Sequence, residues 1–422
     1  MTTFTMDTNV RARRNPRKYD ILLLGATGYT GALTAEHIVW HLPTDLKWAI
    51  AGRSRSKLEA LARKLKDLEP NRQQPEIETV SLNDREQLDS VIKNSKVCVS
   101  VVLYWRAGRE VVESCVKNGT DYIDVAGDIA LLRTFVDQYH EAAVNAGVAL
   151  IHLCGLFTAP HDLLAWATVR ELAREKSRKA KEVILSVTEL KLSPSGGTVD
   201  SMMAESTYDP EAVKQAKQPW VLSPVQGIQT SNSTNFLSLR RDPVLGLLSA
   251  SSLGAAENRA LVHRTWGLLR ETNQAYGSSF QYNEYNKVSS TAAGVVSMLT
   301  SASVTSIMKY EVTRRIAKLF LPNPGDGPDI EKEQRSQVKF EAVAIAESDD
   351  DNEPPRAYAS FSYPSGGYLA TALFLAHGAA SLLYTRNLEG QVVGGCLTPA
   401  FLGDDLLNRV QAAGATFHVN MV

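Results

Sequence analysis

The stretch that decides the fold is ILLLGATGYTG, residues 21–31. Its first four residues are apolar without alternation, which predicts a central parallel strand covered on both faces. Three glycines follow at GxxGxxG spacing and lead into a helical pattern, whose first N–H groups can bind a pyrophosphate. The pattern therefore predicts a nucleotide-binding Rossmann turn. The predicted cofactor-binding residues of this loop are Gly25, Thr27, Gly28, Tyr29, Thr30 and Gly31.

The end of the second predicted strand, residues 47–51, indicates which nucleotide binds. An acidic residue at this point would bind the ribose 2′-hydroxyl of NAD. This chain instead has Arg53, with Ser54 and Lys57 following. A guanidinium can form charge-assisted hydrogen bonds with a 2′-phosphate. We therefore predict that NADP(H) is the cofactor and that these three residues bind its 2′-phosphate.

Strands and helices alternate up to about residue 155, which predicts six parallel strands in a doubly wound α/β sheet. The fourth strand is predicted at 96–103, so Leu103 should lie beside the cofactor, because ligands bind outside the carboxyl ends of such strands. Asp84 precedes a helical pattern and is predicted to cap it, with a contact to the adenine as a second role. Residue 104 begins the connection after the fourth strand.

After residue 160 the sequence alternates as in an antiparallel sheet with one polar face. The predicted strands of this part are residues 183–192, 280–285, 338–346 and 357–363. A very apolar helix then follows Gly366 and is predicted to return to the first sheet. We expect a basic, disordered tail at 1–18, a Rossmann domain at 19–160 and 365–422, and an inserted mixed α+β substrate or dimerisation domain at 161–364.

Reduction by a nicotinamide requires a proton donor as well as a hydride. Tyr104 follows the fourth strand and is one candidate, although an aromatic packing role is equally open. His161 follows the sixth strand and is the other, with a structural role as its alternative. His152 lies within an apolar strand and is interpreted as a core residue, and Asp162 as a helix cap. The four cysteines lack metal-ligand or disulfide spacing, so no metal site is expected.

Composition limits the partners. The formal net charge of the 422-residue chain is -1, which gives no electrostatic case for nucleic acid. Residues 11–18 are basic, so weak contact with a membrane surface stays open. The apolar stretch 292–321 could enclose a hydrophobic substrate or form a homodimer core. No uninterrupted apolar run reaches the roughly 18 residues of a spanning helix, and we expect a cytoplasmic protein.

The chain resembles the saccharopine dehydrogenase-like oxidoreductases, and within them the trans-acting enoyl reductases. The resemblance extends from about residue 19 to the end. It is carried by GATGYTG, AGRSRSKLEAL, GTDYIDVAGD, CGLFTAPHD, PSGGTVDSMM, GDGPDIEKEQR and GYLATALFLAHGA with GGCLTPAFLGDDLLNRVQAAG. It implies a Rossmann domain with an inserted mixed sheet, NADP(H) as cofactor, and reduction of a carbon–carbon or carbon–nitrogen double bond.

Three strand ends differ from the pattern of that family. Where members have GPY, GE and CGFDSxPxD, this chain has Leu103-Tyr104-Trp105, Gly127-Asp128 and CGLFTAPHD. The expected function is NADPH-dependent, enoyl reductase-like reduction of a hydrophobic polyketide-, terpenoid- or acyl-type substrate. Because the differences face the predicted chemistry, a non-redox isomerase or cyclase on the same scaffold remains the alternative.

Overall fold

The computed structural model describes residues 16–191, 193–228, 234–270, 272, 276–323, 325–348 and 353–422. The chain divides into two compact units. The parallel-sheet unit comprises residues 16–126, 134–155 and 371–406, and the mixed-sheet unit comprises 127–133, 156–370 and 407–422. The α/β class with a second, largely antiparallel sheet is confirmed.

The parallel-sheet unit is built on seven parallel strands in the order β13-β6-β5-β4-β1-β2-β3. The sequence predicted six of them and missed the short last strand. Strand bounds are β1 Tyr19–Leu24, β2 Trp48–Gly52, β3 Glu76–Thr79, β4 Ser95–Ser100, β5 Asp121–Asp124, β6 Ala149–Ile151 and β13 Gly395–Leu397.

Helices connect these strands and cover the sheet. Their bounds are α1 Tyr29–His41, α2 Arg55–Leu68, α3 Arg85–Lys93, α4 Tyr104–Asn118 and α5 Ile129–Ala146. Strand β4 ends at Ser100, and helix α4 begins at Tyr104. The predicted extension of this strand to Leu103 was wrong, because Val101 and Val102 are apolar but lie in the connection.

The N-terminal tail is shorter than predicted. Residues 1–15 lie outside the described residues, but Arg17 is held in the parallel-sheet unit. Its guanidinium donates hydrogen bonds to Thr120 Oγ1 at 2.6 Å and to the Asn118 carbonyl at 2.8 Å. Arg17 therefore belongs to the folded domain and not to a solvated tail.

The turn between β1 and α1 requires glycine for two different reasons. Gly25 has a φ of +89°, a left-handed conformation that side chains disfavour. A Cβ on Gly31 would lie 2.4 Å from the Gly25 carbonyl oxygen, so the first turn of α1 lies directly against the end of β1. A Cβ on Gly28 would meet the same oxygen at 3.4 Å, an ordinary contact.

A buried network joins the carboxyl ends of β5 and β6. Asp124 accepts hydrogen bonds from the Tyr122 hydroxyl at 3.0 Å and from the Leu153 N–H at 3.0 Å. His152 Nδ1 lies 2.9 Å from Asp124 Oδ2, the oxygen that also accepts the hydrogen bond from Tyr122. Burial opposes a charged imidazole, but Asp124 outweighs it and raises the pKa of His152 to about 9. The interpretation of His152 as a core residue is confirmed by its burial, although only its Nδ1, and not its Nε2, contacts a hydrogen-bond partner among the described residues.

The mixed-sheet unit has the strand order β14-β12-β11-β7-β10-β9-β8. Strands β7 and β10 run parallel, and the other neighbours are antiparallel. Strand bounds are β7 Ala180–Glu189, β8 Leu239–Asp242, β9 Gly246–Ser249, β10 Tyr276–Lys287, β11 Val338–Ala346, β12 Arg356–Tyr363 and β14 Thr416–Met421.

The last strand changes the expected domain boundary. We predicted that residues 365–422 return to the Rossmann domain, and residues 371–406 do so. Strand β14, however, pairs with β12, and Phe417 is paired directly with Phe361. Residues 407–422 therefore belong to the mixed-sheet unit.

The helices of this unit pack on its sheet and fill its connections. Helix α6, Ala159–Lys176, packs on β7, β11, β12 and β14, and α9, Ala255–Leu269, packs on β10. The remaining helices are α7 Gly196–Glu205, α8 Pro210–Ala216, α10 Thr291–Lys309, α11 Glu311–Lys318, α12 Ile330–Gln334, α13 Gly367–Ala380, which continues into the parallel-sheet unit, and α14 Gly403–Ala412.

Two helical stretches are long and apolar enough to cross a membrane, Thr291–Met308 and Gly367–Thr385. Neither stretch was identified from the sequence as a membrane-spanning candidate, because serine, threonine and glycine interrupt the apolar residues of both stretches. The second stretch is 67% buried, as in the core helix of a folded domain, whereas the first is 6% buried.

The two helical glycines of the turn should differ in their effect on stability. Gly31→Ala places a methyl group against the backbone, and we expect it to lower the free energy of unfolding by about 2–3 kcal/mol. Gly28→Ala adds only an ordinary contact and should stay within about 1 kcal/mol of the wild type. Urea unfolding of both variants measures the difference. Equal stability of the two would contradict the close approach at Gly31.

The Asp124–His152 pair should make stability depend on pH. Its folded-state pKa lies above the unfolded value, so the contribution is fully present below about pH 6.5 and is lost as pH rises through about 9. The stability difference between the wild type and Asp124→Asn should therefore shrink by roughly 3 kcal/mol between about pH 6 and pH 9.5. Urea titrations across this range measure it. In a His152→Asn background the pH dependence of the difference should disappear.

Candidate functional site

The Gly-rich turn leaves the N-terminus of α1 open to an anion. Gly28 is the N-cap of this helix and provides no side chain to bind the first N–H groups. Those N–H groups and the helix dipole favour a negatively charged ligand. The turn therefore fits the pyrophosphate of a dinucleotide, which would lie against Gly25, Gly28 and Gly31.

The basic residues after β2 fit a 2′-phosphate. Arg53 and Lys57 are exposed, and neither has an ion-pair partner among the described residues. Arg55, in contrast, is paired with Glu59 at 2.9 Å. Ser54 is the N-cap of α2, with its hydroxyl 3.2 Å from that of Ser56. Arg53, Ser54 and Lys57 thus remain available to a phosphate.

Other predicted cofactor residues lie on the same edge of the sheet. Asp84 accepts hydrogen bonds from the N–H groups of Glu86 and Gln87, both at 3.1 Å, which confirms its role as a helix cap. Its contact with the adenine stays a prediction. Leu103 is the N-cap of α4 and provides no side-chain hydrogen bond there. Thr27 Oγ1 lies 3.7 Å from the position of a Cβ on Gly52.

Tyr104 lies within the packed interior of the parallel-sheet unit. Its ring is 8% exposed and lies 4.7 Å from the ring of Phe135, centroid to centroid. A Cβ on Gly108 would lie 2.8 Å from the same tyrosine ring. The structure thus supports the packing role that the sequence left open, while catalysis by Tyr104 stays a prediction.

His161 lies in the mixed-sheet unit, in the first turn of α6. Its Nε2 is 3.9 Å from Glu284 Oε2, and its ring lies 4.6 Å from that of Phe340. Burial lowers the pKa of His161, although Glu284 opposes this, so the imidazole is neutral. The cap of α6 is Thr158 and not Asp162, which accepts a hydrogen bond from Thr265 at 2.6 Å.

The structure brings together four carboxyl groups that the sequence analysis did not identify. This carboxyl cluster consists of Asp128, Glu205, Glu257 and Glu284, all in the mixed-sheet unit. Glu284 accepts hydrogen bonds from Ser252, Asn258 and Tyr282 at 2.5, 2.8 and 2.9 Å. The described residues contain no group of His, Cys, Asp and Glu arranged to bind a metal ion.

At neutral pH the carboxyl group of Glu205 in this cluster is mainly protonated. Burial, reinforced by the charges of Asp128 and Glu257, raises the pKa of Glu205 to about 8. Burial also raises the pKa of Glu257 and of Asp128. Glu205 is half-buried, so its carboxyl can both hold a proton and meet a substrate. The cluster can therefore act as a general acid.

Tyr208 affects the pKa values of the carboxyl cluster through a hydrogen bond to Asp128. Its hydroxyl donates a 2.5 Å hydrogen bond to Asp128 Oδ2, which favours the charged form of that carboxyl. Burial and the Asp128 carboxylate raise the pKa of Tyr208 above its ordinary value. A charged Asp128 in turn raises the pKa of Glu205. The hydrogen bond from Tyr208 to Asp128 thus acts indirectly on the pKa of Glu205.

Only part of this cluster had a sequence signal. Glu205 and Tyr208 directly follow the PSGGTVDSMM motif, and Glu284 shares the buried face of β10 with Tyr282, two residues away. A carboxyl on the buried face of a strand is unusual and could have been identified. Glu257 had no comparable signal.

Comparisons with known proteins show which families the chain is similar to. Residues 21–151 match the family model described as the saccharopine dehydrogenase NADP binding domain. The chain is 29% identical over 426 residues to a Mycobacterium tuberculosis protein provisionally assigned as a trans-acting enoyl reductase, covering 95% of this chain and 97% of that one. It is 28% identical over 419 residues to a trans-acting enoyl reductase of Mycobacterium leprae, covering 94% and 97%.

A solved structure supports the fold. Apo saccharopine dehydrogenase (L-Glu forming) of Saccharomyces cerevisiae superimposes with a TM-score of 0.54 at 16% identity, covering 96% of this chain and 100% of that chain. The turn, the basic residues after β2 and the family model agree on the cofactor, which is NADP(H). Residues 21–151 match a saccharopine dehydrogenase NADP binding domain, and the protein is an NADP-dependent oxidoreductase that is similar over nearly its whole length to trans-acting enoyl reductases.

Proposed function

We propose that the protein is an NADPH-dependent reductase of an activated carbon–carbon double bond in a hydrophobic polyketide-, terpenoid- or acyl-type substrate. The observation that carries this proposal is the similarity to trans-acting enoyl reductases over 94–95% of the chain, which includes both units.

The charge of the mixed-sheet unit supports a substrate without carboxylates. The carboxyl cluster offers no cation to a dicarboxylate such as saccharopine, and each added carboxylate would have to be desolvated beside these carboxyl groups. A neutral, apolar substrate avoids this cost. The carboxyl cluster thus favours carbon–carbon reduction of an apolar compound over oxidation of an amino acid.

Such a reduction requires a hydride and a proton. Bound NADPH supplies a hydride to one carbon of the double bond. The chain must then provide a proton to the adjacent carbon, because the reduced substrate would otherwise retain a negative charge. We assign this proton to Glu205, which is protonated at neutral pH and partly accessible. His161 and Tyr104 are less accessible, at 2% and 8% exposure.

The cofactor assignment is tested by equilibrium titration with NADPH and NADH. Arg53→Ala removes the guanidinium available to the 2′-phosphate, so we expect NADPH binding to weaken about tenfold or more while NADH binding stays unchanged. Arg55→Ala is the matched control, because Arg55 is exposed but already paired with Glu59. Its affinity for NADPH should change by less than about threefold.

Binding of neither nucleotide by the wild type would overturn the reductase proposal. With binding established, substrate-dependent loss of NADPH absorbance on unsaturated acyl thioesters tests the reaction. Formation of product without any nucleotide would instead support the isomerase or cyclase.

The acid assignment predicts a pH profile. Because the protonated form of Glu205 is the active one, the reduction rate should fall as pH rises through about 8. Glu205→Gln should lower the rate about 10²- to 10⁴-fold and abolish this alkaline limb. Tyr208→Phe should move the limb to lower pH, since Asp128 then gains a proton more readily and its charge no longer raises the pKa of Glu205.

Glu211→Gln is the control for this series, because Glu211 is an exposed carboxyl of α8 paired with Lys214 at 3.6 Å. Its profile should match the wild type. An unchanged alkaline limb in Glu205→Gln would reject Glu205 as the donor, and NADPH titration of the same variant separates loss of the acid from loss of the cofactor site.

A further inference from the structure

Helices α10 and α11, with the residues that follow them, form an exposed segment from 291 to 320 on the mixed-sheet unit. The first 18 residues, Thr291–Met308, carry no charged side chain, and only 6% of them are buried. A helix of this composition is ordinarily found in a protein core or in contact with lipid. Here it lies on the surface.

The side of α10 that faces the sheet is small and polar. A Cβ on Gly294 would lie 2.6 Å from Leu239 Cδ2, so the helix backbone lies close to β8. Ser297 Oγ is 2.6 Å from Ser251 Oγ, and Ser301 Oγ donates a 2.5 Å hydrogen bond to the Ser251 carbonyl. The contact thus depends on hydrogen bonds and close backbone approach, and not on burial of large apolar groups.

The opposite side of α10 is apolar. At 100° per residue, Val296, Leu299 and Ile307 point away from the side that contacts the sheet. Their exposed fractions are 61%, 64% and 42%. The usual orientation of an amphipathic helix on a soluble domain is therefore reversed.

Helix α11 repeats this pattern with added positive charge. Val312 and Ile316 are exposed, and Leu319 and Phe320, which follow directly, are 80% and 84% exposed. The other side carries basic residues, including Arg315, which is paired with Glu311 at 2.5 Å, and Lys318. A basic amphipathic helix beside an uncharged apolar helix is typical of segments that lie at a membrane surface.

Charge decides between a membrane and a second copy of the chain. Residues 291–320 contain four basic residues and one acidic residue, so a twofold symmetric dimer through this face would bring together two segments of the same net positive charge, which repel each other. Phosphate groups of lipids would pair with these basic residues, while the apolar side chains enter the acyl region. Because α10 is attached to the sheet from Gly294 to Ser301, it cannot cross the bilayer.

We propose that the segment 291–320 binds the surface of a bilayer containing anionic phospholipid, with α10 and α11 lying in the plane of the interface. This surface is independent of the basic residues 11–18 and of the reaction that the protein catalyses. It makes the enzyme a peripheral membrane protein attached through its mixed-sheet unit.

Flotation of the full-length protein with vesicles tests this proposal. Vesicles of phosphatidylcholine with phosphatidylserine should bind the protein, pure phosphatidylcholine should bind it more weakly, and salt should reduce the difference. Leu299→Ser with Ile307→Ser, and Ile316→Ser with Phe320→Ser, should each reduce the partition coefficient at least about tenfold. Arg315→Glu with Lys318→Glu should abolish the preference for anionic lipid.

Trp40→Ser is the matched control, because Trp40 is an exposed apolar side chain of the parallel-sheet unit, and it should bind as the wild type does. Deletion of residues 1–15 should likewise leave binding intact. All substituted side chains are exposed, so thermal unfolding should be unchanged. Absence of vesicle binding by the wild type, or equal binding by the serine variants, would overturn the proposal. The proposal would also be overturned if, in the absence of lipid, the wild type were a dimer and the serine variants were monomers. The face would then be an interface between copies.

Discussion

The structure depends on the close approach of α1 to β1 at Gly31. With no side chain at this position, the first turn of the helix lies directly over the Gly25 carbonyl. This contact fixes the start of α1, whose unpaired N–H groups favour an anion. Arg53 follows the neighbouring strand, which pairs in register with β1 through Leu23 and Ile50. The predicted cofactor-binding residues are thus positioned by one steric constraint and one strand pairing.

Local sequence motifs made the predicted nucleotide-binding residues identifiable from the sequence alone. The glycine spacing, the apolar strand before it and Arg53 after β2 are all contained within about thirty residues, and each has a direct conformational meaning. The helical start at Tyr104 was missed because the apolar residues before it resemble a continuing strand. Strand β13 was missed because three residues carry almost no periodic signal.

The carboxyl cluster could not be predicted from the sequence in the same way. Asp128, Glu205, Glu257 and Glu284 are separated by up to 156 positions, from residue 128 to residue 284, and only folding brings their charges together. The property that matters, a carboxyl that keeps its proton at neutral pH, arises from burial beside other carboxyls and not from residue type. Sequence reasoning therefore selected a histidine and a tyrosine, whose ordinary chemistry suggests proton transfer, whereas our proposed donor is a glutamate.

Both sheets are completed by strands from the end of the chain. Strand β13 closes one edge of the parallel sheet, and β14 closes one edge of the mixed sheet. During synthesis, neither unit can reach its final set of strands until residues 395–421 have left the ribosome, although the central strands of both are present earlier. The edges of β6 and β12 stay unpaired in that interval, and unpaired edges promote aggregation. The order of the chain thus delays completion of both sheets to the same late stage of synthesis, and the edges of β6 and β12 are open to other chains until then.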